Sequence, residues 1–121
     1  VEVDAVMELG EIDDALWHAL EQIAPFGMDN RRPLLAARGV ELAGPPQIWK
    51  ENHLRLAVRQ GGRTLMMKGW GLSDLAAELR GVKAVDIAFE IERDLLGGWG
   101  LTLRACRAYE AAAAVSPAGS S

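Results

Sequence analysis

The run His53-Leu54-Arg55-Leu56-Ala57-Val58-Arg59-Gln60-Gly61-Gly62-Arg63-Thr64-Leu65-Met66-Met67-Lys68-Gly69-Trp70 decides how the chain folds. Leu54, Leu56 and Val58 alternate with Arg55, Ala57 and Arg59, the period-two pattern of a strand buried on one side. Gly61-Gly62 then separates this run from a second one. Two glycines between two such runs signal a tight hairpin, because both turn positions accept positive φ.

The turn implies a register. With Gln60 opposite Arg63, Val58 faces Leu65 and Leu56 faces Met67, giving one apolar face. The other face pairs Arg59 with Thr64, Ala57 with Met66, Arg55 with Lys68, and His53 with Trp70. Opposed like charges disfavour strand pairing by roughly 0.2–1 kcal/mol. A face that carries them beside an aromatic end suits an anionic, aromatic ligand, and single-stranded nucleic acid is one. The same residues also suit a solvated hairpin face.

The whole chain has 121 residues, half of them apolar and a quarter charged. That is the composition of a single globular domain. No apolar run is of spanning length and no signal peptide is visible, so a cytoplasmic protein is expected. Cys106 stands alone and has no internal disulfide partner. The start at Val1 reads as a fragment of something longer.

The formal net charge of −4 hides an asymmetry. Residues 1–30 hold eight acids and no Lys or Arg, whereas residues 31–70 hold eight bases against Glu41 and Glu51. Segregation of this kind points towards nucleic acid. It equally allows the acidic segment to dock on the basic one.

Along the chain, Ile12, Leu16, Leu20 and Ile23 recur at helical spacing with Trp17 beside them, predicting an amphipathic helix. Asp13 and Asp14 lie at its positive end, where carboxylates stabilise a helix. His18 has no second ligand near it in sequence. Pro25 ends the helix, and residues 25–33 form a dense turn. Leu34 to Ala43 reads as a strand around Gly39, broken by Gly44-Pro45-Pro46. Gln47 to Asn52 reads as a connection leading to the hairpin.

After Gly71, Ser73 is the expected N-cap of a short helix closed by Gly81. Val82 to Arg93 alternates, with Val85, Ile87, Phe89 and Ile91 inward. Gly97-Gly98 turns the chain, and Trp99 to Tyr109 returns with Leu101 and Leu103 inward against Thr102 and Arg104. Glu110 to Ser121 reads as a disordered tail.

The expected fold is therefore mainly β: a five-stranded OB-fold barrel, β-β-β-α-β-β, preceded by an N-terminal amphipathic helix. Three segments are expected: residues 1–33 (acidic helix and connecting turn), 34–109 (barrel) and 110–121 (tail). In an OB fold the usual ligand surface is the face of the second and third strands, which here is the cationic hairpin.

Pro25, Phe26, Gly27, Asn30 and Pro33 follow the pattern Pro-Phe-Gly-x-Gly-Asn-x-x-Pro, with Asp29 replacing the second glycine. His53-Leu54 matches a His-Leu that opens the second strand, Trp70-Gly71 stands in place of a Phe-Gly, and in the last hairpin Asp94 and Gly98 stand in place of an Asn and a Gly. In these respects residues 1 to 109 resemble the C-terminal OB domain of RecJ, the bacterial exonuclease that degrades single-stranded DNA from 5′ to 3′. The resemblance implies a domain that helps hold the strand while a separate core cuts it. That core uses clustered Asp and His residues, including an Asp-His-His motif, and two divalent ions, manganese or magnesium. None of those motifs occurs here, and no cofactor is expected in this chain.

An independent catalytic case is weak. There is no phosphate loop ending in Lys-Ser/Thr, no His-Glu-x-x-His and no cysteine pair. Glu90, Glu92 and Asp94 alternate along one strand, which suits either a shared cation or a solvated face. Cys106 has no activating neighbour in sequence and reads as a packing thiol.

The expected function is single-stranded DNA binding. Arg55, Arg59, Lys68 and Arg63 would meet phosphates, and Trp70 with His53 would stack on bases. Trp49, beside Lys50, reads as a possible loop contact, and Trp99 as structural. No catalytic and no metal-binding residue is assigned. The expected partners are single-stranded DNA and the remainder of the parent nuclease, with no membrane. The alternative is a structural or protein-interaction module that packs on the nuclease core, or recruits a partner, through the same face.

Overall fold

The computed structural model describes residues 3–23, 32–94 and 97–109. The helix end at Pro25, the Pro25–Asn30 part of the turn motif and the 110–121 tail lie outside the described residues.

Among the described residues, seven strands and two α-helices follow one another: β1 (Ala5–Val6), a 3-10 turn (Leu9–Glu11), α1 (Asp14–Ile23), β2 (Leu35–Leu42), β3 (Gln47–Trp49), β4 (His53–Gln60), β5 (Arg63–Gly69), α2 (Leu75–Glu78), β6 (Ala84–Arg93) and β7 (Trp99–Ala108). The sheet order is β1-β2-β6-β7-β5-β4-β3, and β2 also pairs with β4. Strands β2, β6, β7, β5 and β4 thus close into a ring. The β5–β7 contact is parallel and the other four are antiparallel. Outside the ring, β1 pairs with β2 and β3 with β4. Both are absent from the sequence expectation, which treats residues 47–52 as a connection.

Closure depends on β2 belonging to two neighbours. Its residues Leu35 to Glu41 pair with β6, while Glu41 and Leu42 also pair with β4. The register with β6 shifts between Ala37 and Val40. Gly39 lies in that interval at φ +65°, and its N–H donates to Asp86 Oδ1 at 2.9 Å. An irregularity of this kind bends a strand and sharpens its twist, which lets one strand serve two sides of a ring.

The β4–β5 register is the one the turn implies, from Gln60–Arg63 through Val58–Leu65 and Leu56–Met67 to Arg55–Lys68. Gly61 and Gly62 take φ +58° and +82° at the turn. Leu54, Leu56, Val58 and Met67 are fully buried, alongside Val40, Val85, Phe89 and Leu103. Thr102, expected on the outer side, is also buried. It pairs with Glu90 on one side and Lys68 on the other, close to the register shift between Ala88 and Phe89.

The N-terminal segment shares this core. Leu9 and Ile12 are fully buried and Trp17 nearly so. Burying a large aliphatic side chain is worth about 1.5–3 kcal/mol. Asp13 caps α1 through its side chain, Oδ1 accepting the Leu16 N–H at 2.9 Å. The acidic helix docks on the β6–β7 end, not on the β4–β5 face. Glu21 meets Arg93 at 2.6 Å, and Asp14 Oδ1 accepts the Trp99 indole N–H at 2.6 Å. The short helix departs from expectation at its start. Asp74, not Ser73, is the N-cap, and it makes no side-chain cap hydrogen bond.

Two hydrogen bonds tie the 3-10 turn to the hairpin tip. Gln60 Oε1 accepts the Leu9 N–H at 2.8 Å, and Arg63 Nη2 donates to the Ile12 carbonyl. Gln60 Nε2 also donates to the Arg38 carbonyl at 3.2 Å. An unsatisfied buried donor costs about 1–3 kcal/mol. Gln60→Ala should therefore lower the unfolding free energy by about that amount, read as a lower urea midpoint at unchanged m-value. Loss below about 0.5 kcal/mol would mean that water replaces the glutamine.

Candidate nucleic-acid interface

The outer face of the hairpin is built by alternation: side chains that do not enter the ring must leave it. Arg55 and Lys68 oppose each other directly on that face. At its open end β4 continues into His53, and the chain after β5 continues into Trp70. The two rings meet edge-on with centroids 5.0 Å apart. His53 Nδ1 accepts the Gly71 N–H at 2.8 Å, so the neutral ring carries its proton on Nε2. That bond holds the imidazole beside Trp70 by a backbone group.

Trp49 completes the aromatic group. β3 pairs with β4 in the register Gln47–Arg55, Ile48–Leu54 and Trp49–His53. The pairing sets Trp49 on the same face as His53 and Arg55, and Ile48 on the face of Leu54. The Trp49 ring lies 4.9 Å from Trp70 and 5.3 Å from His53, tilted by 52° and 53°. Lys50 Nζ, Arg55 Cζ and Lys68 Nζ stand 5.4, 5.4 and 5.9 Å from its centroid, within cation–π range.

These three cations differ from the five arginines that acids neutralise among the described residues. Arg38, Arg59, Arg93, Arg104 and Arg107 each lie within 4.0 Å of a carboxylate. Among the described residues, Lys50, Arg55 and Lys68 have no acidic partner. Trp70 is half exposed, and Met66 and Ile48 are comparably bare.

The six residues chosen from sequence therefore separate. Arg55, Lys68, His53 and Trp70 come together. Arg59 lies further along β4, paired with Glu41 at 3.2 Å, opposite it in the register. Arg63 is turned to the Ile12 carbonyl at the far end of the hairpin, and its Nε is buried without a hydrogen-bond partner. Sequence reasoning placed Trp49 and Lys50 only at the margin. The signal that could have promoted them is the alternation of Gln47, Ile48 and Trp49, too short to read as a strand.

Other candidate groups stay apart from this face. Glu90 approaches Arg104 at 4.0 Å. Among the described residues, no three His, Cys, Asp or Glu side chains gather as a metal site. Burial, and secondarily the Asp86 carboxylate, push the Cys106 thiol up to about 12, so it is protonated at neutral pH. No helix among the described residues is long and apolar enough to cross a membrane.

A ring of five mostly antiparallel strands with a helix between the third and fourth is the strand arrangement of an OB-type domain. The family model of the RecJ OB domain matches residues 3–98. The chain belongs to that family. No curated protein sequence matches it.

The turn that presents Lys50 is strained. Lys50 and Glu51 take φ +53° and +71°, the left-handed region that side chains other than glycine resist. Such conformations cost on the order of 1–3 kcal/mol each, partly offset by the extra chain entropy that a glycine loses on folding. Lys50→Gly and Glu51→Gly should each stabilise the fold by roughly 0.5–1 kcal/mol in urea unfolding. Destabilisation by either would show that the side chain compensates the strain through contacts of its own.

Proposed function

We propose that this chain is the single-stranded DNA-binding OB domain of a RecJ-like 5′ to 3′ exonuclease, holding substrate for a catalytic core carried by the rest of the parent protein. The five-strand ring is read as the OB barrel, and α1 as the helix that precedes it. The observation that carries the reading is the cluster of Arg55, Lys68 and Lys50, unpaired by acids and standing against aromatic rings. Such a surface is poorly satisfied when bare. Phosphates would neutralise it, and an exposed indole offers a π-face to any base.

In this reading Arg55 and Lys68 meet the backbone, while Trp70 stacks on a base with His53 braced behind it. Arg59 contributes if a phosphate displaces Glu41 from it. Arg63 acts mainly at the hairpin tip. The strand-cutting chemistry and its metal ions belong to the core, and the parent protein works in the cytoplasm.

A second reading rests on Met66, 49% exposed on the cationic face, and on Ile48, 57% exposed on the opposite face of β3. A protein surface, including that of the nuclease core, would cover such side chains. Displacement of labelled oligo-dT by that core, with no ternary complex, would favour this reading.

Binding is measured by fluorescence anisotropy of a labelled oligo-dT at low and moderate salt. Stacking contributes about 1–3 kcal/mol per base, so Trp70→Ala should weaken binding by roughly 5- to 150-fold. Trp99, whose indole N–H is held by Asp14, should tolerate replacement by alanine with little change in affinity once folding is verified. Equal losses for the two variants would remove Trp70 from the interface. No binding at low salt would leave the interaction module as the better account.

A further inference from the structure

The three aromatic rings of the face are unequal. Their mutual tilts run from 52° to 78° at centroid separations of 4.9–5.3 Å. They pack against one another and leave no parallel gap for a base. Trp70 is half exposed. Trp49 is the ring around which the cations stand: Lys50 from the β3–β4 turn, Arg55 from β4 and Lys68 from β5.

We propose that Trp49 gathers Lys50, Arg55 and Lys68 into a subsite for one backbone phosphate, and that base stacking is left to Trp70. The inference rests on the strand-binding reading above and divides the labour within it. Cations brought this close repel one another, and the negative π-face of an indole offsets part of that repulsion. The remainder is relieved by an anion with several acceptor oxygens. All three side chains are donors only, and among the described residues no carboxylate holds any of them. Trp49 is in these terms a positioning residue, acting on phosphate through the cations it holds.

The test compares two labelled strands of equal length on the 121-residue chain: oligo-dT, and an abasic strand that keeps the phosphates but has no bases. Each is titrated over a range of salt. Trp49→Ala should weaken both strands by a similar factor and make the log–log salt slope shallower by about 0.7, the contribution of one phosphate on a single strand. Trp70→Ala should weaken oligo-dT alone and leave the slope unchanged. Lys68→Ala should cost less affinity in the Trp49→Ala background than in the wild type. If Trp49→Ala unfolds the β3 edge, Trp49→Leu keeps apolar bulk without a π-face and should show the same slope change.

A Trp49 loss confined to oligo-dT with unchanged slope would overturn the proposal and make Trp49 a second stacking ring. So would displacement by inorganic phosphate, at matched ionic strength, as effective as displacement by unlabelled abasic strand. If neither tryptophan matters for either strand, the strand-binding reading itself has failed.

Discussion

A side chain on a strand has two sides to go to, and the Gly61–Gly62 turn decides the side for all of β4 and β5. Slipping the pairing by one residue would carry Leu54, Leu56 and Val58 out of the ring and bring Arg55 and Arg59 into it. Burial of three aliphatic side chains, at about 1.5–3 kcal/mol each, stands against that slip. So does the cost of desolvating two guanidinium groups. The register is therefore specified far more strongly than any cross-strand pair could specify it. Once it is set, Arg55 must oppose Lys68 on the outside, whatever those two charges cost each other.

That cost is small beside the core and is not relieved by acids. Glu41 takes Arg59, Glu21 takes Arg93, and Asp86 takes Arg38 and Arg107. The acidic helix, which the sequence leaves free to cover the basic face, is occupied at the other hairpin through Asp14 and Glu21. Local neutralisation elsewhere on the molecule leaves the positive charge near Trp49 uncompensated. A net negative chain thus presents a positive surface, because the distribution of charge and not its sum governs the field at a site.

What could be read from sequence follows from how local the deciding physics is. The hairpin needs only two neighbouring runs and a turn, so its register was legible residue by residue. The inward set of β6 and the β6–β7 pairing were legible for the same reason. β3 was not, since three residues after Pro45-Pro46 carry too little periodicity, and its turn uses Lys50 and Glu51 at positive φ where glycine would have announced it. The hold of the Ile12 carbonyl on Arg63 was not legible either, because the two are 51 residues apart. Trp99 is held from 85 residues away by Asp14. Contacts of that reach leave no trace in local patterning.

The hairpin has two ends with different duties. At its tip, Gln60 and Arg63 are bound to the 3-10 turn by hydrogen bonds that a ligand cannot use. At its open end, His53, Trp70 and the adjoining Trp49 meet one another and solvent, and the turn beside them is strained. Strain is tolerable there because the rest of β4 over-determines its position: it pairs with β5 along its length and with β2 at Arg59 and Val58. Stability is concentrated where the chain is fastened, and exposed aromatic surface is concentrated where it is not. A protein that must hold a strand and release it has reason to keep these apart, since a contact engaged in folding at the open end could not be exchanged for a base or a phosphate.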